Sequence, residues 1–392
     1  MDQTDILFTS ESIGRLEIKN RFVRAATAER LADDEGKVTG KLVDFHARLA
    51  DGGVGLQIIG HSYIEYRGKG HRYQTSIADD SCMPGLTRLA DAVHAKNGTI
   101  SLEINHTGAK NSVNPEDAVA PSAVIEPQTG NTPSALKSDE VWEIIRFYGA
   151  AARRARETGF DSLHVHGANG YLITQFGSPY SNRRSDEWGG NELKRNRFLM
   201  EVYREVRKNV GSDFPITWKL GVIDYVTGGV TLDEVVNRAT ILESEGLDAI
   251  EISCGIMPHG ESALQYVALS KTRALRDLVI PRLYTPASEE AYYRPQARAI
   301  KKKLKIPLIL VGGIRSTETM VDVVKSGDAD FLSMARPFIR EPDIVKQIQN
   351  GRHGLVDCTS CNLCRDIDVF ELRCWRKNKI ILMKGLYLKH FS

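Results

Sequence analysis

The sequence contains no long apolar run and no pattern that would direct the chain out of the cell. None of its apolar stretches approaches the roughly 20 residues that a helix needs to cross a bilayer. The opening residues, MDQTDILFTSESIGRLEIKN, lack the charged start and apolar core of a secretory signal. These absences argue against a membrane-spanning or secreted protein, so we expect a cytoplasmic protein with no membrane partner.

An excess of one charge is also missing. The 52 Lys and Arg residues nearly balance the 50 Asp and Glu residues and leave a formal net charge of +2. Outside the C-terminal tail, no long basic run could follow a phosphate backbone. The sequence therefore predicts no nucleic-acid partner, and its 42% apolar and 26% charged residues are typical of a globular protein.

Cysteine is scarce except in one place. Two of the six cysteines, Cys82 and Cys254, stand alone, and the other four fall within 17 residues near the C-terminus. Without a secretion signal, such a cluster favours a metal or redox site over a disulfide framework. The spacing Cys358-x2-Cys361-x2-Cys364-x9-Cys374 suits a [4Fe–4S] cluster. A four-cysteine zinc site and a site without metal remain the alternatives.

The pattern G-x-G-x-x-G occurs nowhere, which argues against a doubly wound dinucleotide-binding sheet. Instead, short β-rich runs alternate with amphipathic helical patterns. The eight strand candidates are 22–28, 54–60, 100–106, 162–168, 216–222, 249–255, 308–313 and 331–336. Eight such parallel strands with right-handed crossovers predict an α/β fold, a closed (β/α)8 TIM barrel.

The expected barrel occupies residues 1–355, and a Cys-rich, basic extension follows over 356–392. Within the barrel domain, the alternating segment 13–19 precedes the first strand. We expect it to form a small hairpin that plugs the bottom of the barrel.

Function in this fold lies at the C-terminal ends of the strands. His164 and His166 are two residues apart in one strand candidate, so both face the same side. This pair suits half of a metal site in a (β/α)8 hydrolase, or a site for an organic ligand. A metal site would need further His and Asp ligands at other strand ends, and the next strand offers Lys219.

The ends of the last two strands indicate phosphate binding. Gly312 and Gly313 free the backbone to approach a ligand, and a helix is expected to start just after Ser316. Arg336, after the eighth strand, adds a charge suited to phosphate. With Lys219 and the histidines nearby, one large phosphorylated ligand such as FMN would fit across the barrel mouth.

Several motifs resemble those of the Old Yellow Enzyme family of FMN-dependent NAD(P)H:flavin oxidoreductases. The resemblance is strongest in GFDSLHVHGANGYLITQFGSPYSNRRSDEWGGNELKRNRF, residues 159–198, and extends to VGGIRS and ARPFIREPDIV. It is closest to the barrel of the 2,4-dienoyl-CoA reductase and trimethylamine dehydrogenase branch and covers nearly the whole predicted barrel.

The resemblance implies roles for particular positions. His166 and Asn169 match the pair that polarises the substrate carbonyl, and Tyr171 matches the proton donor. Lys219 stands where a cation lies near flavin N1, and Glu103 where the family usually has Gln. The implied cofactor-binding residues are Ala26, Thr27, Ala28, Gly60, Glu103, Lys219, Gly312, Gly313, Ala335 and Arg336.

The activity implied by the resemblance is hydride transfer from NAD(P)H, through flavin N5, to an activated alkene that carries a carbonyl. His166 and Asn169 would stabilise the enolate-like charge, and Tyr171 would protonate the α-carbon. Glu103 departs from the family because a carboxylate lacks the amide donor of Gln. His164 replaces an acidic residue, and a packed strand histidine is the expected role.

The resemblance also implies an alternative function. Multidomain members carry a similar cysteine cluster after the barrel, where it relays electrons to a second flavin domain. The present chain continues for 18 residues after Cys374. An electron-transfer or demethylase/dehydrogenase subunit, using FMN and the iron–sulfur cluster with a partner chain, is therefore the alternative expectation, and a homo-oligomer is compatible with either.

Overall fold

The computed structural model describes residues 3–257, 290–360, 364 and 372–376. Its strands are β1 (Glu11–Ile13), β2 (Leu16–Ile18), β3 (Phe22–Arg24), β4 (Leu56–Ile58), β5 (Ser62–Tyr63), β6 (Ile100–Asn105), β7 (Val119–Ala120), β8 (Ser134–Ala135), β9 (Ser162–Gly167), β10 (Ile216–Gly221), β11 (Ala249–Ser253), β12 (Leu308–Val311) and β13 (Phe331–Met334).

Eight of these strands form a closed parallel barrel. Hydrogen-bonded neighbours follow the order β4-β3-β13-β12-β11-β10-β9-β6, and pairing between β4 and β6 closes the ring. Each barrel strand lies within one of the eight predicted segments, so the TIM-barrel prediction is confirmed. Every residue of β6, β9 and β10 is buried, because helices cover the outside of the barrel and side chains fill the inside.

Helices follow most of the barrel strands. They are α1 (Gly40–Asp51), α2 (Met83–His94), α3 (Ser138–Glu157), α4 (Leu172–Gly177), α5 (Glu192–Val210), α6 (Leu232–Ser244), α7 (Arg294–Lys301), α8 (Thr317–Lys325), α9 (Arg336–Arg340) and α10 (Ile344–Gln349). Short 3-10 helices are Gln3–Phe8, Tyr66–Gly68, Asp80–Cys82, Gly108–Lys110 and Pro115–Asp117. A capping box begins α6, since the Thr231 hydroxyl accepts from the Glu234 amide and the Glu234 carboxylate accepts from the Thr231 amide.

The predicted hairpin is formed by β1 and β2, which pair antiparallel. Its inward residues Ile13 and Ile18 are fully buried and pack with Val23, Leu56 and Phe331 of the barrel. This small apolar cluster closes the end of the barrel at which the strands begin. The opposite end, where the strands finish, is left for the functional site.

The described parts of the extension pack against the barrel. Leu372 donates its amide to the carbonyl of Glu29 at 3.0 Å, and Arg340 of the barrel donates to the carbonyl of Arg376 at 3.3 Å. Most of the predicted 356–392 extension lies outside the described residues, so its boundary with the barrel stays a prediction. Within the ranges that the structure describes, no helix is long and apolar enough to cross a membrane.

Candidate active site

A group of charged side chains fills the interior of the barrel below its mouth. Strand register places Glu103 beside His164, and Lys219 beside both His166 and Glu251. The Lys219 ammonium lies 2.8 Å from Glu103 Oε2 and 2.9 Å from Glu251 Oε2. Neighbouring parallel strands thus bring inward-facing residues of distant sequence into one ionic cluster.

Burial and pairing decide the charges in this cluster. Burial alone would lower the pKa of Lys219, but Glu103 and Glu251 outweigh it and raise that pKa above its ordinary value. Burial raises the pKa of Glu103 despite the nearby ammonium. Glu251 is also buried, yet Lys219 and His164 hold its pKa well below its ordinary value. Lys219 is therefore a permanent cation at the barrel centre, partly neutralised by at least one carboxylate.

His164 belongs to this buried cluster. Its Nδ1 lies 2.6 Å from the hydroxyl oxygen of Thr217, and that hydroxyl donates to the carbonyl of Leu163. Its Nε2 lies 3.3 Å from Glu251 and 3.5 Å from Glu103. His164 has no measurable exposure, as expected for a packed strand histidine.

Three aromatic side chains form a contiguous group next to the cluster. The ring centroids of His166 and Tyr171 are 4.8 Å apart, and the His61 ring lies 5.9 Å from His166 and 5.3 Å from Tyr171. The structure therefore brings together two of the three predicted catalytic residues and adds His61, which follows β4.

Hydrogen bonds define which nitrogen carries the proton in the two histidines. Ala168 donates its amide to His166 Nδ1 at 3.3 Å, which leaves the proton on Nε2. Burial lowers the pKa of His166 well below its ordinary value, so the ring is a neutral donor at neutral pH.

The side chain of Gln74 orients His61. Its oxygen accepts from the Gly70 amide at 2.6 Å, and its nitrogen donates to the His61 carbonyl and Nδ1, each at 2.9 Å. Nδ1 is thus an acceptor and Nε2 a donor. Burial lowers the pKa of His61 to about 4, so this ring is also neutral.

Asn169 and Tyr171 lie in the turn between β9 and α4. Asn169 adopts a left-handed backbone with φ 58°, a conformation that Asn tolerates better than most residues. Its side-chain nitrogen lies 3.0 Å from Cys254 Sγ, and its carbonyl accepts from Lys110 Nζ at 2.7 Å. Lys110 also lies 5.7 Å from the centre of the Tyr171 ring, so this cation holds the turn that carries Tyr171.

The segment after β3 contains the predicted flavin contacts Ala26, Thr27 and Ala28 and has no regular secondary structure. The turn after β4 contains Gly60. The Gly60 amide donates to both carboxylate oxygens of Glu29, at 2.9 and 3.0 Å, and is therefore engaged within the protein.

The predicted phosphate residues meet at the ends of β12 and β13. Gly312 and Gly313 have φ values of 122° and 76°, which favour glycine, and Arg336 begins helix α9 directly after Ala335. Two amides just before α8 already have a hydrogen-bond partner within the protein. The Glu290 carboxylate accepts from the Arg315 and Ser316 amides at 3.1 and 2.9 Å, so phosphate would depend on the glycines and on Ala335 and Arg336.

The residues present fit FMN by the chemistry of their donor set. A buried cation lies at the barrel centre, and a left-handed glycine pair with an arginine lies at the ends of two neighbouring strands. These features suit the ring and the phosphate of one ligand across the barrel mouth.

Cys358, Cys364 and Cys374 line one cavity of about 150 Å³ together with Arg336 and Trp375. Cys361, the fourth predicted ligand, lies outside the described residues. In the part of the chain that the structure describes, no three His, Cys, Asp or Glu side chains lie where they could hold a metal ion. Among the described residues, neither the predicted iron–sulfur cluster nor the metal-hydrolase interpretation of His164 and His166 therefore has a set of metal ligands.

Sequence reasoning missed Glu251, Gln74 and Glu29. A carboxylate in the middle of AIEISCG, flanked by isoleucines in a buried strand, signals an inward charge that needs a partner. Gln74 and Glu29 lie in loops without a comparable signal.

Comparisons with known proteins point to one family. A model of the NADH:flavin oxidoreductase / NADH oxidase family matches residues 6–354. An NADH oxidase of Thermoanaerobacter brockii is 36% identical over 391 residues, which cover 97% of this chain and 57% of that protein. A 4,4'-dithiodibutanoate disulfide reductase of Rhodococcus erythropolis is 31% identical over 396 residues, which cover 97% of this chain and 98% of that protein.

A solved structure, a 2-naphthoyl-CoA reductase complex with 2-naphthoyl-CoA, aligns with a TM-score of 0.86 at 27% identity. The alignment covers 99% of this chain and 58% of the reductase. The chain thus spans little more than half of two of these three proteins and nearly all of the third. The matched family, as its description states, couples NADH to a flavin. The chain therefore belongs to the NADH:flavin oxidoreductase / NADH oxidase family, whose members are oxidoreductases of the Old Yellow Enzyme kind.

Proposed function

We propose that the protein is an FMN-dependent reductase that uses NAD(P)H to reduce a small-molecule alkene activated by a carbonyl. When bound, FMN supplies the hydride transfer from NAD(P)H to the alkene. The observation that carries the proposal is the contact between the neutral His166 ring and Tyr171 beside the buried Lys219 cation. The 2-naphthoyl-CoA reductase supports it, because the name of its ligand describes a carbonyl conjugated to carbon–carbon double bonds.

Residues of the chain stabilise the charges and supply the proton in the proposed reaction. Lys219 stabilises negative charge that develops on the ring of the cofactor. His166 donates a hydrogen bond from its Nε2–H to the substrate carbonyl oxygen, which stabilises the enolate-like charge. Asn169 donates to the same oxygen after its amide turns away from Cys254. Tyr171, which lies in the same turn as Asn169, gives its phenolic proton to the α-carbon.

The phosphate end of the cofactor is assigned to Gly312, Gly313, Ala335 and Arg336. The ring is assigned to Ala26, Thr27 and Ala28, together with Gly60 at the next strand end and the pair Glu103 and Lys219. Apart from Glu103 and Lys219, which lie within β6 and β10, these positions follow the C-terminal ends of barrel strands.

Replacing Tyr171 with Phe tests the proton-transfer step. We expect alkene reduction to slow by about 10²- to 10⁴-fold, the usual contribution of a general acid. Reduction of the flavin by NAD(P)H, followed by anaerobic stopped-flow absorbance, should change less than two-fold because that half-reaction needs no proton from Tyr171. Equal losses in both half-reactions would contradict the role of Tyr171 as proton donor.

A second candidate function is an electron-transfer or demethylase/dehydrogenase subunit with an iron–sulfur cluster. Its support is the cavity shared by Cys358, Cys364 and Cys374, which Arg336 also lines. Quantitation of iron, acid-labile sulfide and flavin in anaerobically purified protein separates the two candidates. Four iron atoms per flavin favour the electron-transfer or dehydrogenase subunit, whereas flavin without iron favours the alkene reductase.

A further inference from the structure

His71 lies beside the aromatic group of the proposed site but has no role in the reaction described above. Its ring is 5.5 Å from that of His61 and meets it edge-on, with the ring planes at 76°. Both ring nitrogens are buried, and neither has a hydrogen-bond partner among the residues that the structure describes. Because a buried polar atom without a partner costs about 1–3 kcal/mol, packing alone would favour an apolar side chain at this position.

The loop around His71 is held by its neighbours and not by the histidine itself. Gln74 ties the Gly70 amide to the carbonyl of His61. On the outer side, Arg72 Nε lies 2.5 Å from a carboxylate oxygen of Asp34. The imidazole of His71 is therefore held in a fixed place, while both of its buried ring nitrogens lack a hydrogen-bond partner among the described residues.

The charges that act on His71 are positive. Burial lowers the pKa of His71 well below its ordinary value, and the cations Arg30 and Lys69 lower it further. Burial also lowers the pKa of the neighbouring His61 ring; Glu29 opposes this shift, and Lys219 and Arg30 add to it. A neutral imidazole that donates an N–H in positive surroundings is suited to bind an anionic oxygen.

We propose that His71 binds a carboxylate of the substrate and that the site therefore prefers activated alkenes that also carry a carboxylate. The His61 ring contacts both His71 and the His166–Tyr171 pair. Its Nε2–H can therefore donate a hydrogen bond to the part of the substrate between the reacting carbonyl and the carboxylate. This inference rests on the proposed function, because it assigns the reacting carbonyl to His166.

The test compares two ligands that share one reacting enone, 4-oxopent-2-enoate and its methyl ester. Isothermal titration calorimetry of the oxidised protein measures binding of each ligand without turnover. We expect the wild-type protein to bind the carboxylate at least 10-fold more tightly than the ester. His71→Leu should reduce this ratio to about one and change ester binding less than two-fold.

Two further variants exclude indirect effects. His71→Gln keeps an N–H donor and should restore part of the preference for the carboxylate. Lys37→Gln removes a charge outside this loop, where the side chain is 48% exposed, and should leave the ratio unchanged.

The inference is overturned if the wild-type protein binds both ligands equally, or if His71→Leu weakens both to the same extent. Enone reduction with NAD(P)H is measured separately on the ester. If the ester is reduced but the wild-type protein binds carboxylate and ester equally, the result counts against His71 alone. If the protein prefers the carboxylate but does not reduce the ester, the result counts against the proposed function.

Discussion

At the scale of single residues, the replacement of an expected Gln by Glu103 has a clear electrostatic consequence. Glu103 lies 2.8 Å from Lys219, the cation assigned to the flavin ring, and Glu251 lies 2.9 Å from the same nitrogen. A Gln would leave Lys219 with one carboxylate partner. Because burial raises the pKa of Glu103, the extra negative charge depends on pH.

We predict that Glu103→Gln raises the reduction potential of the bound flavin at high pH. An ionised Glu103 opposes the negative charge gained on reduction, and a Coulomb interaction of this kind amounts to tens of millivolts. Since Glu103 is protonated below its raised pKa, the potentials of variant and wild type should converge as the pH falls.

Dye-coupled reductive titrations at about pH 6 and pH 9 measure both potentials. The exposed Glu318→Gln serves as the control and should match the wild type at both values. Equal potentials for wild type and Glu103→Gln at the higher pH would exclude an influence of Glu103 on the flavin.

At the scale of elements, the turn after β4 depends on a buried carboxylate from the preceding segment. Glu29 accepts from the Gly60 amide and pairs with Arg24 in β3, at 2.7 Å. A Cβ at Gly60 would lie 2.1 Å from the Glu29 carboxylate, which explains the glycine. Burial raises the pKa of Glu29, but Arg24 and His46 outweigh it and lower the pKa to about 2.

Glu29→Gln should therefore destabilise the folded protein at neutral pH by about 3 kcal/mol, an order-of-magnitude value from the lowered pKa. Loss of the carboxylate also leaves the Arg24 guanidinium buried without its ionic partner. The pKa is depressed in the folded state, so this contribution is complete above the ordinary value of 4.5 and is lost as the pH falls towards 2.

Urea unfolding at pH 7, 5 and 4 measures the difference in free energy between wild type and variant. The difference should shrink towards pH 4. Glu35→Gln, whose side chain is 73% exposed, should have almost no effect. A difference that grows as the pH falls would refute the assignment of the lowered pKa to Glu29.

At the scale of the whole molecule, the proposed cofactor would contact strands that are far apart in the sequence. The ring is assigned to residues that follow β3 and β4 and to β6 and β10, whereas the phosphate is assigned to the ends of β12 and β13. A ligand that binds only the folded barrel stabilises all of these elements together.

FMN should therefore raise the melting temperature of flavin-free protein. At a concentration 100 times the Kd, the stabilisation is about 2.7 kcal/mol. Arg336→Gln should weaken FMN binding about 10- to 100-fold, the range for a hydrogen bond to a charged group.

Differential scanning fluorimetry across an FMN titration gives both quantities. Arg340→Gln is the matched control, because Arg340 lies one turn further along α9 and is not assigned to the phosphate. If both variants weaken FMN binding equally, Arg336 has no specific role in phosphate recognition.

The sequence alone determined the barrel and the direction of its key side chains. Periodicity is local, so the alternation of strands and helices, the hairpin of β1 and β2 and the capping box of α6 could all be read from neighbouring residues. The two-residue spacing of His164 and His166 likewise determined that both face the same side of their strand.

The partners of those side chains were decided only by the tertiary structure. Glu103, Lys219 and Glu251 come from three separate strands, and their contact depends on register around a closed barrel. Glu29 accepts a hydrogen bond from the Gly60 amide, and Glu290 accepts hydrogen bonds from the amides before α8. These contacts depend on the paths of loops, which no periodic pattern encodes. Burial and distance between groups far apart in sequence then set the charges, which is why the protonation of the site followed from the fold and not from the motif.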